Sequence, residues 1–87
     1  MNLSPLTNNG FNILTEDGII YASRIIEREE NKLEFIVHHN GSIELTEYYQ
    51  NTQEDIISLG QVNSAEQALY VFQTINAINT TVKHKLY

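Results

Sequence analysis

Residues 32–49 read Lys32-Leu33-Glu34-Phe35-Ile36-Val37-His38-His39-Asn40-Gly41-Ser42-Ile43-Glu44-Leu45-Thr46-Glu47-Tyr48-Tyr49. An Asn-Gly pair between two alternating apolar runs is the strongest local signal for a β-hairpin. Loop length decides its register. A two-residue loop, Asn40-Gly41, sets Val37 opposite Glu44 and Phe35 opposite Thr46, mixing apolar and polar groups on each face. A three-residue loop, His39-Asn40-Gly41, sets Val37 opposite Ile43 and Phe35 opposite Leu45. A slip of one residue sends every side chain to the other face, so burial selects the second pairing. Gly41 then takes the left-handed position of a bulged turn.

That register sorts the side chains. Leu33, Phe35, Val37, Ile43 and Leu45 form a core face, with Tyr49 further along it and Glu47 at its rim opposite Leu33. Glu34, Ile36, His38, Ser42, Glu44, Thr46 and Tyr48 form the outer face.

The flanking segments extend the pattern on both sides. Residues 1–10 read as an irregular arm punctuated by Pro5 and Asn9-Gly10. Phe11 to Leu14 is a short strand, Thr15-Glu16-Asp17-Gly18 a turn, and Ile19 to Arg28 a long β-branched strand. The alternation in that strand is too weak to fix its register. Gln50 to Asp55 reads as a polar loop, and Ile56 to Leu59 as a short strand closed by Gly60 in preference to the alternative, a helical turn. Ser64, with Gln67 three positions on, marks a helix start. Ala68, Val71, Ile75, Ile78 and Val82 then recur at helical spacing, with Ala65 and Phe72 beside them. Lys83, His84 and Lys85 suit the partial negative charge of the helix end.

The expected architecture is α+β, an antiparallel β-meander of 3–5 strands over residues 11–59 (one C-terminal amphipathic helix, residues 64–84, packs on one sheet face). All 87 residues are read as one domain. A 41% hydrophobic fraction supports one core, and the lack of cysteine removes disulfides and thiolate metal sites. With no basic-plus-apolar leader and no long apolar run, a cytoplasmic location and no membrane partner are expected.

Charge narrows the partners. Net charge is −6, and between Lys32 and Lys83 there is no basic residue while Glu34, Glu44, Glu47, Glu54, Asp55 and Glu66 all lie there. Phosphate backbones are repelled by such a surface and basic proteins attracted, so direct nucleic-acid binding is not expected. Glu66 belongs to the first helical turn, where an acid is favourable whatever the function.

Catalytic patterns do not emerge. No serine sits in a nucleophile elbow, no glycine loop cradles phosphate, and the adjacent carboxylates fall in expected loops. His38 and His39 point to opposite faces of a strand and cannot share one ion, so neither metal nor cofactor is expected. A non-enzymatic binding protein remains, its contact residues drawn from Glu34, Ile36, Glu44, Glu47, Tyr48, Glu54 and Asp55. Tyrosine adds large contact area at low entropic cost. In general character the chain is similar to small, acidic, cysteine-free phage proteins that inhibit bacterial defence nucleases, although no motif ties it to a family. The alternative expectation is a structural or oligomer-forming accessory domain, such as a homodimer, whose acidity serves only solubility.

Overall fold

The structure is a computed structural model that describes residues 1–50 and 52–85, excepting the side chains of residues 54 and 79–85. A 3₁₀ helix, η1 (Ser4–Asn9), precedes five strands and one helix. The strands are β1 (Asn12–Glu16), β2 (Ile19–Glu27), β3 (Lys32–His38), β4 (Ser42–Tyr49) and β5 (Thr52–Gln61), and α1 (Ala65–Lys85) follows. The strands pair in sequence order as one antiparallel meander, and α1 lies on one sheet face, an α+β fold.

The central hairpin has the three-residue loop. Val37 pairs with Ile43, Phe35 with Leu45 and Leu33 with Glu47. Gly41 donates its N–H to the His38 carbonyl at 2.9 Å and holds φ at +94°. Its own carbonyl accepts the N–H of Val62 at 2.8 Å, tying the hairpin tip to the end of β5. β2 takes the register the sequence left open: Ala22 opposite Val37, Arg24 opposite Phe35 and Ile26 opposite Leu33.

One sheet face is therefore built from Ala22, Ile26, Leu33, Phe35, Val37 and Ile43, all buried. Arg24 interrupts that row, which is why alternation in β2 is weak. Its guanidinium lies over the Phe72 ring, 4.7 Å from the centroid, and donates to the Asn9 carbonyl at 2.7 Å. The aliphatic stem thus joins the core while the charge caps the end of η1. Phe72 also meets Phe11 and Phe35 edge-on, with centroids 5.2 and 5.4 Å apart. Edge-to-face contacts of this kind are preferred by the ring quadrupoles.

Three expectations are corrected. The first ten residues are not an irregular arm. Leu3 and Leu6 lie three apart, one turn of a 3₁₀ helix, and both are buried against the core. Pro5 suits the first turn, and Gly10, at φ +83°, ends it. The segment Gln50 to Asp55 is not a loop throughout, because β5 begins at Thr52 and runs 10 residues. Register shifts between Ile43 and Glu44 and between Glu47 and Tyr48 let the polar residues stay in the ladder. Tyr49 is exposed rather than core, since it lies past the last covered row, Ile26–Leu33–Glu47, beside the β4–β5 turn.

α1 starts as its capping residues demand. Ser64 Oγ accepts the Gln67 N–H at 3.1 Å, and the Gln67 side chain reaches back to the Asn63 N–H at 2.7 Å. Along its described side chains burial falls off from the first turns onward. Ala65, Ala68 and Phe72 are covered, Val71 and Ile75 half-covered, and Ile78 is 54% exposed. The expected contribution of the Val82 side chain lies outside the described residues.

At Gly41 a Cβ would stand 2.4 Å from the Val62 carbonyl oxygen, whereas at Gly18, also at positive φ, nothing lies within 4 Å. Gly18→Ala should cost about 1 kcal/mol, the left-handed backbone alone. Gly41→Ala adds a backbone clash and should cost about 2–3 kcal/mol. Urea unfolding of the two variants measures this, and equal losses would contradict the tip geometry.

Candidate functional site

The outer sheet face is organised around two carboxylates from neighbouring strands. In cross-strand rows it carries Ser23, Ile36, Glu44 and Ser58, then Ile25, Glu34, Thr46 and Ile56, then Glu27, Lys32, Tyr48 and Gln53. Tyr21 and His38 close it at the end nearest the hairpin tip. Ser23 and Thr46 are the two buried polar residues of the described chain, 5% and 3% exposed. Short side chains make the floor, and longer ones stand around them.

Glu34 is held at both oxygens. Ser23 Oγ donates to Oε2, and Tyr48 Oη donates to Oε1 at 3.0 Å. Glu44 contacts His38 Nε2 through Oε1, a hydrogen bond that becomes an ion pair when the imidazole is protonated. Tyr21 lies beside His38 with ring centroids 6.1 Å apart. Hydroxyl donors satisfy a carboxylate without cancelling its charge. Glu34 is therefore fixed in place while its field still reaches solvent, which an ion pair to Lys or Arg would have quenched.

Both phenols register that field. Burial, then the hydrogen bond to Glu34 and its charge, raise the Tyr48 pKa above the ordinary 10.0. Tyr21 is raised by burial first, then by Glu16 and Glu34. Ile25, 44% exposed, and Ile56, 52% exposed, flank the carboxylates with apolar surface.

Of the residues singled out from the sequence, Glu34, Ile36, Glu44 and Tyr48 are brought together on this face. Glu47 and Asp55 are not. They pair with each other across β4 and β5 on the core side, where the Asn31 amide donates to Glu47 and Asp55 bonds the Ile56 N–H. The Glu54 side chain lies outside the described residues. Ser23 and Tyr21 escaped sequence reading, and Thr46, read correctly onto the outer face, was not expected to be buried. Placing the first two required the β2–β3 register, and a threonine among glutamates gives no sign of burial.

Elsewhere, a depression of about 300 Å³ opens beside the β2–β3 turn, lined by Glu27, Arg28, Glu30, Lys32, Tyr48 and Gln50. It mixes both charges and shares Glu27, Lys32 and Tyr48 with the last row of the outer face, but neither Glu34 nor Glu44. Among the described residues, no three His, Asp or Glu side chains gather as a metal site, and no helix is long and apolar enough to cross a membrane. No family model, curated protein or solved structure matches the chain.

The coupling of Tyr48 to Glu34 has a measurable sign. A phenol with a raised folded-state pKa contributes stability that is complete below the unfolded value of 10.0 and is lost as pH rises through the folded value. In Glu34→Gln the Tyr48 midpoint should fall toward 10.0 yet stay above it, because burial is the larger cause. Ultraviolet phenol titration of wild type, Glu34→Gln and Tyr48→Phe reads this directly. An unmoved midpoint in Glu34→Gln would break the proposed coupling.

Proposed function

We propose that the chain is a non-enzymatic binding protein that docks its outer sheet face onto a basic protein surface. The observation that carries this reading is the pair Glu34 and Glu44, positioned by Ser23, Tyr48 and His38 rather than by Lys or Arg. A partner's guanidinium or ammonium groups would meet two ordered carboxylates with tyrosine beside them and isoleucine at the margins. Such surfaces steer encounter and give specificity, while aromatic and aliphatic anchors supply much of the affinity.

Surfaces rich in Lys and Arg are typical of enzymes that hold DNA or RNA. Inhibition of a nucleic-acid-processing enzyme, of the kind phage proteins direct against host defence, is the specific form of the proposal. Occupying the partner's phosphate-binding surface would exclude its substrate without any chemistry. The accessory-domain alternative draws on the exposed Ile78 of α1, a site for a second copy.

Association should weaken as ionic strength rises, because rim charges lie within screening range of solvent. The decisive experiment is capture of partners from host lysate at low and high salt by wild type and by Glu34→Lys/Glu44→Lys, with circular dichroism confirming that the variant is folded. Loss of a salt-sensitive partner in the folded variant supports the docking face. Retention of the same partner would refute it. Recovery of only the protein itself, as a salt-indifferent dimer in sedimentation, would favour the accessory domain.

A further inference from the structure

β5 ends the sheet, with β4 as its strand neighbour on one side and no strand on the other among the described residues. Natural edge strands are usually protected by shortness, lysine, proline or bulges. β5 is 10 residues long and contains neither lysine nor proline. Its two register shifts, at Ile43/Glu44 and Glu47/Tyr48, bracket an unbroken stretch in which Asp55, Ile56, Ile57 and Ser58 face Glu47, Thr46, Leu45 and Glu44.

One hydrogen bond shows which peptide groups of that stretch face outward. The Ile56 N–H donates to the carboxylate of Asp55 at 3.0 Å, so it is outside the ladder to β4. In an antiparallel strand the N–H and C=O of one residue point the same way, and the direction alternates along the chain. The peptide groups of Ile56 and Ser58 therefore face away from β4, and those of Asp55 and Ile57 face it. The Asp55 carboxylate occupies the place that the carbonyl of an added strand would take. Ile56 and Ile57, 52% and 47% exposed, offer an apolar side chain on each sheet face beside this edge.

We infer that Ile56–Ser58 accepts an extended, Lys- or Arg-bearing segment of the partner protein as a sixth strand. This rests on the proposed basic partner and adds how it is gripped. Backbone hydrogen bonds of an added strand supply affinity, and its alternating side chains supply specificity. Charge selects the occupant. Glu54 and Asp55 lie on β5 and Glu44 and Glu47 on β4, with no basic residue from 33 to 82. A second copy laid along this edge brings like charges together, whereas a basic strand complements them. On binding, Asp55 releases the Ile56 N–H to the incoming carbonyl and stays beside the partner's cations.

The test uses the full ¹⁵N-labelled chain and a soluble peptide alternating lysine and valine, with a glutamate–valine peptide as control. The basic peptide should slow exchange of the Ile56 and Ser58 amides by roughly tenfold or more, less so at high salt, and the acidic peptide should leave them unchanged. Ser58→Pro removes an outward N–H and spares the β4 ladder. It should keep the folded spectrum and lose the peptide response. Glu34→Gln/Glu44→Gln should keep the β5 protection, so failure of the face and failure of the edge are separable. Wild-type amides decide the matter even if Ser58→Pro unfolds. The inference is overturned by unprotected Ile56 and Ser58 at saturating peptide, by an equal response to the acidic peptide, or by an undiminished response in folded Ser58→Pro. Protection that grows with protein concentration alone would assign the edge to a second copy and also overturn it.

Discussion

The backbone at Gly41 is the constraint on which the rest of this molecule depends. Its N–H closes the β3–β4 turn on His38, and its carbonyl takes the N–H of Val62, where β5 gives way to the approach to α1. A residue with a Cβ has no room there, because the Val62 carbonyl stands where that atom would go. The backbone of one residue therefore sets two things at once. It fixes the parity of the central hairpin, and it fixes where the chain leaves the sheet to lay α1 across Phe35. From the parity follow both faces; from the exit follows which of them is covered.

Once the faces are assigned, the two are held by different physics. On the covered side, Phe11, Phe35 and Phe72 meet edge-on, the Arg24 guanidinium lies over Phe72, and Leu3 and Leu6 of η1 are buried in the same cluster. On the open side the polar groups satisfy one another locally: Ser23 and Tyr48 on Glu34, His38 on Glu44. Hydroxyl donors anchor Glu34 at little electrostatic cost to its reach, since no Lys or Arg among the described residues forms an ion pair with it. That distinction joins composition to the proposed docking role. Net charge of −6 is a property of the whole chain, but an ordered pair of carboxylates on a rigid sheet is a property of this register.

Legibility in the sequence followed how local the determinant was. The Asn40-Gly41 turn, the Val37–Ile43 and Phe35–Leu45 pairs, and the Ser64–Gln67 helix start are set within a few residues, and reading them forward reproduced the structure. η1 was missed because its apolar signal is only Leu3 and Leu6, meaningful at three residues per turn and invisible to helix or strand periods. β2 resisted assignment because Arg24 occupies a core position, made tolerable by Phe72 and the Asn9 carbonyl that are remote in sequence. Half the candidate site shared that fate. Glu34, Ile36, Glu44 and Tyr48 came from the hairpin alone, whereas Ser23 and Tyr21 came from β2 and needed the long-range register. Asp55 was read as loop charge, and its bond to Ile56 N–H gives it instead a place on the sheet edge.

Central to all of this is the hairpin parity, and cross-strand α-proton contacts measured by NMR in solution test it most directly. The structure predicts contacts between Val37 and Ile43 and between Phe35 and Leu45, with Ile36 opposite Glu44. Contacts of Val37 with Glu44 and of Phe35 with Thr46 would contradict it. That slip would send Glu44 to the covered face, leave Glu34 on the other, and dissolve the proposed docking surface.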